Sequence, residues 1–346
     1  MRVAIDKDSF GAIDIKDNEY VYIFNDESYE YLKKIGLNCI NSEYIKNEFV
    51  DVNLTDYKID CIKKAKITDK DWNVLVKQDY KIGIIIPNYN YEHTIEKCLN
   101  SIFNQTYRNF EIIFVDDMST DNSVELANMY HDKFFPEINL KVYQLPQKRY
   151  NGGARNEAYL HLSDDVDYVW YVDSDDWLYD ENVLENINKK LQKKPDVLFV
   201  GMANYKNNKT DVCFIPEYKD RYEAMLGWSG SCGKVIKKSL ATKQECLYNE
   251  GTLKEDKNQH CKICIYMKNF ELLKIPVYVW NQTNEKSVTT IRTKNIAWET
   301  STIRHYADTK ELYLSVKGKD SKIDSILEDR LKRCEKELKE GGDKQW

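Results

Sequence analysis

The chain has 346 residues, 42% of them hydrophobic, so it can bury one large core with a smaller piece beside it. Its 51 Lys and Arg against 57 Asp and Glu give a formal net charge of -6, which supplies no global positive field and disfavours a nucleic-acid enzyme. With no apolar run of about 18 residues, no charged-then-apolar start and nine irregularly spaced cysteines, we expect no transmembrane segment, no export, reduced thiols and a cytoplasmic protein.

Residues 1–79 are rich in Asp, Lys, Asn and Tyr, with short strand-like runs such as Tyr20-Val21-Tyr22-Ile23-Phe24, and read as an N-terminal accessory segment. From Lys81 the texture changes. Ile82-Gly83-Ile84-Ile85-Ile86 is a continuous apolar run of the kind a strand shows when both its faces are covered. Ile95, Leu99, Ile102 and Phe103 then recur at helical spacing, and Glu111-Ile112-Ile113-Phe114-Val115 is a second buried strand. The pattern continues with a helix from about Ser119 to Tyr130, a strand near Leu140–Tyr143, a helix from about Gly153 to Leu162 and a strand at Tyr168–Val172. A helix near Asn182–Gln192 and a strand at Val197–Val200 follow, after which the texture is irregular through Trp298. This alternation predicts an α/β domain over 80–292, with a mixed, mostly parallel sheet and helices on both faces. The C-terminal region 293–346 is expected to be helical. There Ile323, Leu327, Leu331, Cys334 and Leu338 form one stripe, suited to docking on its own domain or to a homodimer contact.

In open α/β sheets ligands sit beyond the carboxyl ends of the strands. The first strand ends in Pro87-Asn88-Tyr89-Asn90, where proline is expected to stop the ladder. The second ends in Asp116-Asp117-Met118-Ser119, whose serine could cap the next helix. A later strand ends in Asp173-Ser174-Asp175-Asp176, where neighbouring carboxylates repel one another unless a cation or ligand donors compensate. A divalent metal is the natural partner, and oxygen-only ligands favour Mg2+ or Mn2+.

Together these strand ends, with Leu99-Asn100-Ser101-Ile102-Phe103-Asn104-Gln105-Thr106 and Asn151-Gly152-Gly153-Ala154-Arg155-Asn156, resemble the family 2 glycosyltransferases of the GT-A fold. The resemblance runs from about Lys81 to at least Asp256. It implies a Rossmann-like nucleotide-diphospho-sugar transferase, and a metal-dependent inverting enzyme of hexosyl- or N-acetylhexosaminyl-transferase type. The donor would be a nucleotide sugar, a UDP-sugar first of all, and the acceptor a glycan, polymer or protein. By the same resemblance Pro87, Tyr89 and Asn90 would bind the nucleotide sugar, Tyr89 stacking on the base, and Asp117 would bond the base edge while Asp116 supports the loop. Asp173 would reach the ribose beside Ser174, and Asp175 would ligate the metal with Asp176 close behind. Asn151 and Arg155 would contact the nucleotide or its phosphates, although Arg155 could instead pair with the strand-end acids.

An inverting transfer also needs a base for the incoming nucleophile. In the family it lies in a Glu-Asp pair downstream of a small-residue-Lys strand, and Cys232-Gly233-Lys234-Val235-Ile236 with Leu253-Lys254-Glu255-Asp256 fits, which makes Asp256 the candidate. Arg292, in Ser287-Val288-Thr289-Thr290-Ile291-Arg292, would clamp the diphosphate. His260-Cys261-Lys262-Ile263-Cys264 looks like half a zinc site, but without a second pair its cysteines read as core residues one turn apart. Two alternatives stand beside the enzyme: a phosphate-switch module built on Asp116-Asp117, and a catalytically inactive sugar-nucleotide-binding protein.

Overall fold

The computed structural model describes 12–14, 20–22 and 38–40 by their backbone, and 79–251, 255–283, 307–311 and 321–342, the last without the side chains of 333–334 and 337–342. The chain divides into two units, Met1–Asp79 and Tyr80–Trp346. In the first, β1 (Ala12–Asp14) pairs antiparallel with β2 (Tyr20–Tyr22) on one edge and β3 (Asn38–Ile40) on the other.

The second unit opens with β4 (Ile82–Asn88), α1 (Ile95–Phe103), β5 (Phe110–Asp116), α2 (Ser123–Phe134), β6 (Leu140–Gln144), α3 (Tyr150–Tyr159) and β7 (Tyr168–Tyr171). β4 lies between β5 and β7, parallel to both, with Asn88 level with Asp116, so several strand ends open on one edge. Ile84 and Ile86 join the core beneath α1, α2 and α4 (Val183–Leu191), while Ile85 joins the opposite core. That second core packs against α3, α5 (Arg221–Leu226), α6 (Lys238–Ala241), α7 (Glu255–Tyr266) and α8 (Ser321–Gly342). Each such buried isoleucine contributes roughly 1.5–3 kcal/mol, which is why the uninterrupted apolar runs occupy the sheet centre.

The stretch that reads as irregular in sequence completes the sheet. β9 (Val197–Lys206) runs past Val200 to form a hairpin with β10 (Lys209–Phe214). β11 (Lys234–Lys237) inserts antiparallel between β7 and β9. β12 (Phe270–Asn281) runs parallel to β9 and pairs on its other side with β8 (Trp177–Leu178), giving the order β6-β5-β4-β7-β11-β9-β12-β8.

Several boundaries differ from expectation. α2 begins at Ser123 because Ser119 is spent on Asp116 rather than on capping a helix. α3 starts at Tyr150 and ends before Leu162. Pro87 stays inside the ladder opposite Val115, since β7 stops level with Ile85 and only one neighbour remains there. On α8 the apolar stripe is used within its own unit: Ile323 and Leu327 are buried, Leu331 packs beside them, and Arg330 donates to the Met225 carbonyl at 3.0 Å. The side chains of Cys334 and Leu338 lie outside the described residues. Cys261 and Cys264 are core residues of α7, and His260 Nε2 donates to the Ala224 carbonyl at 2.9 Å, with burial holding its pKa well below the usual value. No helix among the described residues is long and apolar enough to cross a membrane.

At the start of β5 the Glu111 carboxylate is sealed from solvent by Ser163 N at 2.7 Å, Ser163 Oγ at 2.5 Å, Lys81 Nζ at 3.3 Å and Lys141 Nζ at 3.6 Å. Burial pushes its pKa up, but these donors outweigh burial and hold it below 4.5. A depressed folded pKa means stability that is present above 4.5 and lost as pH falls through the folded value. Glu111→Gln is therefore expected to cost about 1–3 kcal/mol in urea unfolding at neutral pH. It should cost less in acid, and an equal cost at both pH values would rule out the linkage.

Candidate functional site

The crevice lies beyond the ends of β4, β5 and β7. Asn88, fully buried, donates Nδ2 to Asp116 Oδ1 at 2.8 Å and to Ser119 Oγ at 3.1 Å. Asp116, also buried, further accepts from Ser119 N, Ser119 Oγ and Gln144 Nε2, and so organises the turn after β5. Asn90, exposed and with φ +59, donates its N–H to Ser119 Oγ and accepts from Thr120 N on its side-chain oxygen, which braces the same turn. Asp117 accepts Arg149 N at 2.6 Å and Tyr150 N at 2.8 Å, one on each carboxylate oxygen. Burial raises its pKa against the pull of those amides. With both acids committed to turns, the phosphate-switch reading loses its acidic pocket. Tyr89 keeps an exposed ring, with Lys148 Nζ 2.7 Å from the ring centroid.

After β7 the chain turns tightly, with Asp176 N bonding Asp173 O at 3.0 Å. Ser174 is fully buried and gives its hydroxyl to the Pro87 carbonyl at 3.1 Å, tying two strand ends together rather than meeting a ligand. Asp176 also points inward, accepting Tyr278 Oη at 2.6 Å and Asn281 N at 2.7 Å. Burial, then Asp175 and Asp173, push its pKa well up. Asn281 Nδ2 also donates to the Asp175 carbonyl at 3.1 Å. Asp173 is the outward acid, its side chain 33% exposed, and Asp175 stands beside Tyr91. Burial first, then the charges of Asp175, Asp173 and Asp176, raise the Tyr91 phenol far above its usual pKa.

Arg155 is turned into the protein. One nitrogen meets Asp173 at 2.7 Å and another meets Glu255 at 2.8 Å, so its planar fork joins the acidic turn to α7 instead of standing free for phosphate. Asn151, in the first turn of α3, is exposed. Glu255 and Asp256 open α7, where the helix dipole favours carboxylates. Burial, then the charge of Asp256, lift Glu255 to about 7 against the pull of Arg155. Asp256 is half-buried and accepts Lys257 N at 2.9 Å. Lys234, on β11 after the expected small residues, is sealed in and donates to the Ser229 and Gly230 carbonyls at 2.8 and 2.7 Å, with burial lowering it to about 8. Arg292 lies outside the described residues.

Asp173, Asp175, Asp176, Glu255 and Asp256 act on one another or on the two cations between them, Arg155 and Lys234. The acids of this cluster outnumber its cations. Among the described residues no three acidic, His or Cys side chains converge as a complete cage.

Sequence reasoning missed Asn88, Tyr91, Tyr278, Asn281 and Glu255 as supports of the site. Asn88 sits inside the first strand-end motif, Tyr91 follows it directly, and Glu255 precedes the chosen Asp256. Tyr278 and Asn281 carry no local signal, because their role arises only where β12 passes the acidic turn.

Residues 83–231 match the family described as Glycosyl transferase family 2. Among curated relatives, the glycosyltransferase GlyA of Streptococcus pneumoniae is 39% identical over 126 residues, which is 36% of this chain and 17% of that protein. An Escherichia coli UDP-Glc:alpha-D-GlcNAc-diphosphoundecaprenol beta-1,3-glucosyltransferase is 31% identical over 150 residues, 43% of this chain and 56% of the relative. The chain thus spans less than two thirds of either relative. The crystal structure of Staphylococcus aureus TarS 1-349 in complex with UDP-GlcNAc superposes with TM-score 0.61 at 20% identity, over 74% of this chain and 72% of that one, and shares the fold.

Proposed function

We propose that this chain, whose residues 83–231 match glycosyl transferase family 2, is a metal-dependent inverting glycosyltransferase using a UDP-sugar. The observation that carries this is the excess of carboxylates at the strand ends, with Asp173 partly exposed, Asp175 buried beside Tyr91, and the Glu255-Asp256 helix start fastened to Asp173 through Arg155. In this reading Tyr89 stacks on the base, Asp117 shapes the base pocket through Arg149 and Tyr150, and Asp173 bonds the ribose. Asp175 holds Mn2+ or Mg2+, which when bound offsets the charge of the departing diphosphate. Asp256 takes the proton of the acceptor hydroxyl as that oxygen attacks the anomeric carbon. The choice of donor rests on the UDP-GlcNAc bound in the TarS complex and the UDP-Glc in the name of the Escherichia coli relative. The acceptor is a glycan, polymer or protein. Five of the six described free cysteines are buried thiols, which suits a reducing, cytoplasmic setting.

UDP together with Mn2+ should stabilise the protein by about 2.7 kcal/mol at a hundred times Kd. That is a rise on the order of 5–10 °C in the thermal midpoint for a unit of this size. UDP without metal should give little. No shift at millimolar UDP with Mn2+ would sink the assignment.

A further inference from the structure

We propose that α3 is the element that registers the catalytic base against the donor acids, with Arg155 and Glu255 as the positioning pair; this rests on the reading of Asp256 as the base. α3 fastens the chain leading into α7 at successive points. Asn156 takes both backbone groups of Tyr248, donating Nδ2 to its carbonyl at 2.9 Å and accepting its N–H at 3.0 Å. Arg149 meets both oxygens of Glu250, at 2.9 and 2.6 Å, and its own carbonyl accepts Gly251 N. Gly152 permits the approach: a Cβ there would lie 2.9 Å from the Asn249 carbonyl oxygen and 3.0 Å from Glu255 Cγ.

Arg155 closes the connection. Its guanidinium is buried, with the rings of Tyr171 and Tyr248 centred 5.9 and 5.3 Å away. One arm holds Asp173 and the other Glu255, while Nε has no hydrogen-bond partner. A pin that served stability alone could lie anywhere. This one runs through a single rigid fork from the acid assigned to the ribose to the residue beside the base. Glu255 therefore acts through position, and a change that removes it should displace Asp256 without touching the donor.

The test is steady-state release of UDP from UDP-GlcNAc and UDP-glucose with Mn2+, on the whole chain, with water as the glycosyl acceptor and, in parallel, an added panel of saccharides, so that Asp256 takes the proton of the attacking hydroxyl in either case. Glu255→Ala should lower kcat about 100-fold, the scale of a displacement near 1 Å. Its donor KM should stay unchanged because the arm to Asp173 survives. Glu255→Gln should recover most of that turnover, since its Oε1 still accepts from Arg155. Arg155→Lys, which cannot span both acids, should lower kcat and raise KM together. Asn156→Ala cuts the anchor at Tyr248 and the 3.0 Å bond to Glu250 but leaves Arg155, Asp173 and Glu255 in place; it should lower kcat about 10-fold at constant KM, which keeps the test decisive if Glu255→Ala fails to fold. Glu255→Gln as inactive as Glu255→Ala would make the carboxylate itself a reactant and overturn the proposal. So would wild-type kcat in Glu255→Ala and Asn156→Ala. Wild-type protein that binds UDP with Mn2+ but releases none from any UDP-sugar would instead overturn the functional assignment.

Discussion

Asp256→Asn is expected to bind UDP and its sugar donor as the parent does, while kcat for transfer falls about 100- to 10,000-fold, the usual contribution of a general base. Asp256 sits in the first turn of α7, half-buried, with one oxygen accepting Lys257 N. The helix dipole favours a negative charge at that end, and the carboxylate is the form able to take a proton. Asparagine preserves the shape and the acceptor oxygen but cannot accept that proton. Calorimetric titration with UDP and Mn2+, set beside kcat, separates binding from chemistry. Turnover equal to that of the parent would remove Asp256 from the role.

Asp175→Asn should act on the other half of the site. Asp175 is buried and hydrogen-bonded to Tyr91, while Asp176 is spent on Tyr278 and Asn281. Removing one charge from the only acid assigned to the ion should lower Mn2+-dependent UDP affinity by more than about 100-fold, beyond the 10- to 100-fold of an outer-sphere change. Metal-free UDP affinity should not move. A UDP titration with and without Mn2+ reads both, and an unchanged metal dependence would place the ion elsewhere.

The two variants divide the site as the sequence itself does. The donor acids lie at the ends of apolar runs that no water-soluble surface would tolerate, so their strands and their exit points were legible residue by residue. Ile82–Ile86, Glu111–Val115 and Tyr168–Val172 all became central strands. Less legible was which acid faces outward. Asp173, Ser174, Asp175 and Asp176 are consecutive, and their directions depend on partners from Pro87, Tyr278 and Asn281, far away in sequence. Arg155 shows the same difficulty, since a cation near a phosphate site reads as a ligand until its two acids are seen.

The alternating strands and helices between Lys81 and Val200, the strand ends where a ligand would sit, and the excess of acid there are all written in local residue order. Burial drives those features, and burial is written locally in apolar periodicity. Contacts between distant segments were needed to show that β11 and β12 complete the sheet, that Asp176 and Ser174 are turned inward, and that Arg155 ties Asp173 to Glu255. Those assignments rest on hydrogen bonds between distant segments, and a polar side chain does not announce its partner until the chain has folded around it.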